Sequence, residues 1–181
     1  MLTPPTGKAP AFVDRPHPAT LRGDELLAQC ELGRGRGGGP GGQHRNKVST
    51  LVMLTHRETG VHAQAGERRS ARDNQRVAID RLRHSLATYV RTYVPIGDAR
   101  SDLWRSRVPK QQIVVSPRHA DFPSMLAEAL DVIWAADLDH STAALRLVCT
   151  PTQLVRLLKD YPPALGALNE ARIVRGMPRL K

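Results

Sequence analysis

GPGGQHRNKVSTLVMLTHRETGVHAQAGERRSARDNQRVAIDRLRHSLA, residues 39–87, changes its apolar period partway along, and that change sets the fold. Val48, Thr50, Val52 and Leu54 alternate with Ser49, Leu51, Met53 and Thr55, the period of a strand over residues 48–56. Arg57-Glu58-Thr59-Gly60 is turn chemistry, with Gly60 free to take a positive φ. Val61 to Ala65 reads as the returning strand, so residues 48–65 are predicted to form a hairpin. After Ser70, a candidate N-cap, the spacing widens. Ala78, Leu82, Leu86 and Val90 recur every four residues, with Ile79 and Tyr93 beside them. This predicts a helix from Ser70 to about Val90, whose other faces carry Arg72, Arg76, Arg81, Arg83 and Arg91.

A hairpin followed by one long amphipathic helix predicts an α+β fold, a small β-sheet packed on that helix. Upstream, Ala28 to Leu32 reads as a short strand and Leu21 to Leu27 as a short helical turn. Residues 1–18 are Pro-rich and are expected to be flexible. Downstream, residues 95–120 read as a connector with one β-like patch at Ile113-Val114-Val115. A helix is predicted from Asp121-Phe122-Pro123-Ser124 to about Ala136, and three shorter ones near residues 141–148, 151–159 and 164–175. Thr150 and Pro151 suit the N-cap and first helical position of the middle one. The expected organisation is a flexible N-terminus (1–18), a domain over 19–94, a connector (95–120) and a C-terminal helical module (121–181).

The 181 residues carry a net charge of +10, with 40% hydrophobic and 24% charged side chains, an ordinary globular composition with a strong basic excess. Residues 122–181 hold seven basic and six acidic side chains, so +9 lies in residues 1–121. That asymmetry points to a polyanionic partner for the N-terminal part, most simply nucleic acid. No apolar run is long enough for a membrane span, and the first residues lack a secretory signal's apolar core. The two cysteines, Cys30 and Cys149, fit no metal-ligand spacing and are expected to be reduced thiols, giving a cytoplasmic protein without metal.

Residues 33–42, GRGRGGGPGG, read as a loop: the five glycines and the proline of residues 37–42 cannot form a helix or a packed strand, and glycine allows close backbone approach with exposed N–H donors. Arg34, Arg36, Arg45 and Lys47 flank this run, which suits a loop projecting into a polyanionic site. Gly37, Gly39 and Gly42 formally match GxGxxG, but a strand rather than a helix follows, so no dinucleotide cofactor is expected. His56 and His62 flank the hairpin turn without a third ligand, a poor metal site. Trp104 and Trp134 are expected to anchor packing. Ala143-Ala144, Thr150-Pro151, Leu154, Leu157 and Leu158 have a helix-turn-helix spacing. It reads as a nucleic-acid or ribosome dock or as a small module burying its leucines, and the near-neutral charge favours the second and disfavours a DNA-binding regulator.

The stretch resembles the catalytic domain of class I peptide chain release factors, and most of all that of the codon-independent ribosome-rescue peptidyl-tRNA hydrolases. The resemblance covers residues 20–92 and rests on Gly41-Gly42-Gln43, then Asn46-Lys47, a Leu-Thr-His strand, a Thr-Gly turn, and Glu-Arg…Ser…Asn opening the long helix. It implies hydrolysis of the ester joining a nascent peptide to tRNA in the peptidyl-transferase centre, with no cofactor and a monomeric protein. The partners implied are large-subunit ribosomal RNA and peptidyl-tRNA. Gln43 would support the developing charge with its main-chain N–H and restrict the nucleophile to water with its side chain. Gly41 and Gly42 would permit the backbone shape. Arg34, Arg36, His44, Arg45, Asn46, Lys47, Arg69, Arg72 and Arg76 would contact RNA. The chain departs from the pattern at Gly38 (usually Ser), Arg45 (usually small and apolar) and Ala71 (usually Gln). Rescue hydrolases end in a long basic tail, whereas residues 172–181 here carry four basic side chains. The alternative reading is a non-catalytic binder of the ribosome or structured RNA that keeps the fold.

Overall fold

The structure, a computed structural model, describes residues 9–35 and 50–181. Alternation is realised in the strand β3 (Leu51–His56), where Val52, Leu54 and His56 are buried while Leu51, Met53 and Thr55 are not. β3 pairs antiparallel with β4 (His62–Ala65) across the turn, where Gly60 has φ +69°. On its other side it pairs antiparallel with β2 (Cys30–Gly35). β2 runs further than the expected 28–32 and takes in two residues of the glycine run, Gly33 and Gly35. They sit opposite Met53 and Leu51, whose side chains fill the space a Cβ would need.

The long helix α2 (Ala71–Tyr89) begins at Ser70, whose hydroxyl accepts from the Asp73 N–H as expected of an N-cap. Ala78, Leu82, Leu86 and Val90 are all buried. Positions four apart advance about 40° around a 3.6-residue helix, so the row winds from one side of α2 to the other. Its early part meets β3 and β4. Its later part meets α4 (Phe122–Ala135), the most buried helix among the described residues. α2 is thus a shared wall between sheet and helices.

The start of the chain differs from expectation. Residues 11–13, assigned from sequence to the flexible N-terminus, form a strand β1 (Ala11–Val13) parallel to β5 (Val90–Thr92), which follows α2 directly. A 3-10 turn (Pro18–Thr20) and α1 (Gly23–Ala28) lead into β2. The pairing joins two short strands far apart in sequence, so its sequence signal is only Ala-Phe-Val.

Among the described residues the connector 95–120 holds a helix, α3 (Asp102–Arg107), and no strand at Ile113-Val114-Val115. Trp104 of α3 is fully buried and donates its Nε1–H to the Leu147 carbonyl at 2.9 Å. The remaining helices are α5 (His140–Leu147), α6 (Pro151–Lys159) and α7 (Pro162–Val174). Thr150 caps α6 with Pro151 at the helix start, as expected. Leu154, Leu157 and Leu158 are buried, as are Ala143 and Ala144, so the helix-turn-helix spacing carries packing. Cys30 and Cys149 are free thiols.

Two buried polar groups tie the layers together. Arg91 donates to the carbonyls of Ala87, Thr88 and Val90 at the end of α2, where a cation offsets the helix dipole. Its guanidinium lies 4.0 Å from Asp131 of α4 and 5.5 Å from the Trp134 ring centroid. His17, 6% exposed, accepts the Ala19 N–H on Nδ1 (3.0 Å), so Nε2 carries the proton toward the Val90 carbonyl (3.1 Å). A second proton on Nδ1 would face that N–H, and burial already lowers His17 from 6.5 to about 4.

An unfolded His17 therefore binds a proton between pH 4 and 6.5 that the folded one refuses, so its contribution is present above 6.5 and lost on acidification. Asp131, held up to about 6 by burial, acts in the opposite sense, so the measurement is a difference. Relative to His17→Gln, the wild type should lose up to about 3 kcal/mol between pH 6.5 and 4 in denaturant titrations. Identical pH slopes for the two proteins would show that His17 is not held neutral.

Candidate functional site

Residues 36–49 lie outside the described residues, and with them Arg36, Gly41, Gly42, Gln43, His44, Arg45, Asn46 and Lys47. The structure describes the two stems that carry this segment. Gly35 and Leu51 are register partners at the end of the β2–β3 ladder, so the chain leaves and re-enters the sheet at neighbouring positions. Leu51 is wedged between Gly35 on β2 and Gly66, the residue after β4. A Cβ on Gly35 would come 3.2 Å from its Cδ2, and one on Gly66 3.0 Å from its Cδ1. At both contacts any larger residue would push Leu51 away.

The second stem residue, Thr50, is held from the helix side. Asn74, fully buried on α2, donates through Nδ2 to the Thr50 carbonyl at 2.7 Å and to the Arg68 carbonyl at 3.0 Å. Its Oδ1 accepts the Arg68 N–H at 2.8 Å. One amide thus joins the loop stem, the link after β4 and the first turns of α2, using three of its four bonding capacities. Asn74 was quoted as part of the family pattern without a role. The sequence did hold a signal: it lies four residues before Ala78, so it extends the buried row with a polar residue, and a buried amide demands partners.

The cations sort into two groups. Arg34, Arg69, Arg72 and Arg76 are exposed. Arg69 precedes the Ser70 cap, and Arg72 and Arg76 are one turn apart at the start of α2, the end that Asn74 ties to Thr50. Arg76 has only a loose pairing with Asp73, at 3.7 Å. Cations near a helix N-terminus oppose the helix dipole, so their placement there does not serve α2's own stability. Arg34 lies on β2 opposite Val52. The other arginines of this helical stretch have internal duties. Arg81 bonds Glu67 at 2.6 Å and the Gln64 carbonyl at 2.8 Å. Arg83 bonds the Ala19 and Ala120 carbonyls and Ser124, and Arg91 is buried as described above.

His56 is buried, which pushes its pKa down, and both ring nitrogens are engaged, one with Thr59 Oγ1 at 2.9 Å and one with Gln29 Oε1 at 3.1 Å. It braces the turn against the end of α1. His62 is exposed and reaches only the Gly60 carbonyl, at 3.4 Å. Among the described residues no group of side chains is arranged to hold a metal ion.

Residues 28–114 match the RF-1 domain family. The chain is 33% identical over 121 residues to peptide chain release factor 1 of Chlorobaculum tepidum, covering 62% of this chain and 33% of that protein. It is 47% identical over 70 residues to peptide chain release factor 2 of Variovorax paradoxus, covering 39% and 17% respectively. An uncharacterised, mitochondrial peptide chain release factor-like protein of Saccharomyces cerevisiae is 41% identical over 64 residues, covering 35% of this chain and 41% of that one. The chain spans a third or less of the named release factors 1 and 2. No solved structure matches.

Asn74→Ala would leave two carbonyls and one N–H without partners in a half-buried place. The expected cost is about 2–4 kcal/mol, measurable by urea denaturation, with hydrogen-exchange protection lost first at the Arg68 N–H. A change below about 0.5 kcal/mol would mean that the stem does not depend on this amide.

Proposed function

We propose, from the match of residues 28–114 to the RF-1 domain family, that this chain acts in translation termination by hydrolysing the peptidyl-tRNA ester in the ribosomal peptidyl-transferase centre. We further propose that it does so without reading a codon, as a rescue factor. The observation that carries the reading is the position of Gly41-Gly42-Gln43. The tripeptide lies between Gly35 and Leu51, register partners whose hairpin is fixed on α2 through Asn74. Supporting it are the exposed Arg69, Arg72 and Arg76 at the same end of the helix, suited to ribosomal RNA phosphates. Codon independence is supported by the likeness to rescue hydrolases.

In this reading Gln43 presents its main-chain N–H to the charge that develops as water attacks the ester carbonyl and the ribose oxygen departs. One such donor is worth about 3–4 kcal/mol when it is aimed at the transition state. Gly41 and Gly42 allow the backbone to aim it, and the Gln43 side chain selects water as nucleophile. The RNA-contacting residues are Arg34, Arg36, His44, Arg45, Asn46 and Lys47, with the three arginines of α2. They hold the domain in place, so that positioning supplies much of the remaining acceleration. The protein acts as a cytoplasmic monomer, and the two buried free thiols fit a reducing compartment. Arg45 favours the alternative, a non-catalytic ribosome or structured-RNA binder, because a cation there adds RNA affinity without chemistry.

The test is peptide release from ribosomes loaded with peptidyl-tRNA. Gly42→Ala, and Gln43→Pro, which removes the N–H donor, should each slow release about 100-fold with ribosome binding unchanged. Gln43→Ala should slow it as well. Wild-type rates should match on messages with and without a stop codon. Release unaffected by all three substitutions would leave the binding reading standing.

A further inference from the structure

We infer that the C-terminal helices carry a second RNA site, a cationic cleft between α6 and residues 178–181 that takes the phosphate backbone of structured RNA. The choice of RNA rests on the ribosomal reading above; the cleft itself does not. It is an open cleft of about 620 Å³, with Arg156 and Lys159 of α6 on one wall and Arg179 and Lys181 on the other. Val155 and Leu180 are among its apolar lining residues, and no Asp or Glu side chain lines it.

The distribution of charge makes this more than an incidental patch. Residues 122–181 hold seven basic side chains against six acids. Three of the seven are engaged within the fold: Arg146 with the Pro95 carbonyl, buried Arg172 with the carbonyls of Pro178 and Leu138, and Arg175 with Asp137. The four that remain are exposed, and all four line the same cleft. None of them forms an ion pair among the described residues. Four unpaired like charges around one opening repel each other, a cost that a bound polyanion removes.

The cleft is also built. Arg156 and Lys159 are three apart on α6 and share a face. Opposite them, residues 178–181 are fixed by two buried side chains of α7. Asn169 donates to the Leu180 carbonyl at 3.1 Å and accepts its N–H at 2.8 Å. Arg172 donates to the Pro178 carbonyl at 2.9 Å. The backbone on both sides of Arg179 is therefore ordered before any ligand arrives, which lowers the entropy cost of binding. Cations on the rim and an apolar floor fit a nucleotide strand, with phosphates at the rim and sugar and base edges inward.

The experiment uses the full chain and a fluorescein-labelled RNA hairpin, read by anisotropy across a salt series. Arg156→Ala/Lys159→Ala and Arg179→Ala/Lys181→Ala should each weaken hairpin binding about tenfold near 100 mM salt. Each should lower the slope of log K against log salt by about 1.5–2, because two phosphate contacts are lost. Their thermal unfolding should match the wild type, since all four residues are exposed. On ribosomes the same variants should raise the KM for peptide release and leave kcat unchanged. Unchanged hairpin affinity and slope would overturn the site. So would a loss seen only with duplex DNA, or only with whole ribosomes and not with naked RNA, the last marking a protein contact. Gln43 variants without effect on release would remove the hydrolase reading while the hairpin result stood.

Discussion

A buried side-chain amide, Asn74, is the joint on which the functional half of this protein depends. A glycine-rich loop, as the sequence predicts here, gives up more conformational freedom on ordering than any other. Whatever such a loop delivers must be aimed by its stems. Here one stem is a ladder position, Gly35 opposite Leu51, and the other is Thr50, whose carbonyl is fixed from α2 by the Asn74 amide. The same side chain satisfies both backbone groups of Arg68. Sheet and helix are therefore indexed to each other at the end where the glycines enter, and the exposed Arg69, Arg72 and Arg76 belong to that same indexed end.

The other end of α2 solves a different problem. A row of residues four apart drifts around the helix, so the stripe that begins under the hairpin finishes against α4. The last carbonyls of α2 fall where no water can reach them, and Arg91 meets them with its guanidinium while Asp131 balances its charge from α4. Burying both ions has a large desolvation cost, so the pair is better understood as fixing how α4 sits on α2 than as a source of stability. The parallel β1–β5 pair and the neutral His17 ring close over the same junction. The N-terminal residues become a strap across the helix end.

This division explains what was legible in the sequence. Elements with a clean period could be read: β3 and β4 from alternation, α2 from its four-residue row, α6 from Thr150-Pro151. Their bounds shift by only a residue or two among the described residues. What could not be read depends on partners distant in sequence. Residues 11–13 are a strand only because Val90–Thr92 offers an edge, and β2 extends through Gly33 and Gly35 only because Met53 and Leu51 fill the space above them. The connector's Trp104, expected to anchor packing, bonds Leu147 of α5, a partner that no local pattern announces. The candidate site divides in the same way. Its proposed chemistry, Gly41-Gly42-Gln43, is a motif and visible at once. Its support, the Asn74 amide, appears only when the buried row is followed one step past its last apolar member.

Charge gives the sharpest case of the same distinction. A net charge is a sum over residues, whereas a polyanion responds to the field at one place. The arginines of residues 71–91 are alike in sequence, yet Arg81, Arg83 and Arg91 are hydrogen-bonded to carbonyls or carboxylates of the fold, and Arg72 and Arg76 are exposed without such hydrogen bonds among the described residues. In residues 122–181 a near-zero sum conceals the opposite outcome. The fold pairs or buries three of its cations and leaves the rest beside one another. Folding thus acts as a sorting step on charge. It neutralises the cations that build the structure and concentrates the ones that do not, so the surface potential follows from the hydrogen-bond inventory rather than from composition.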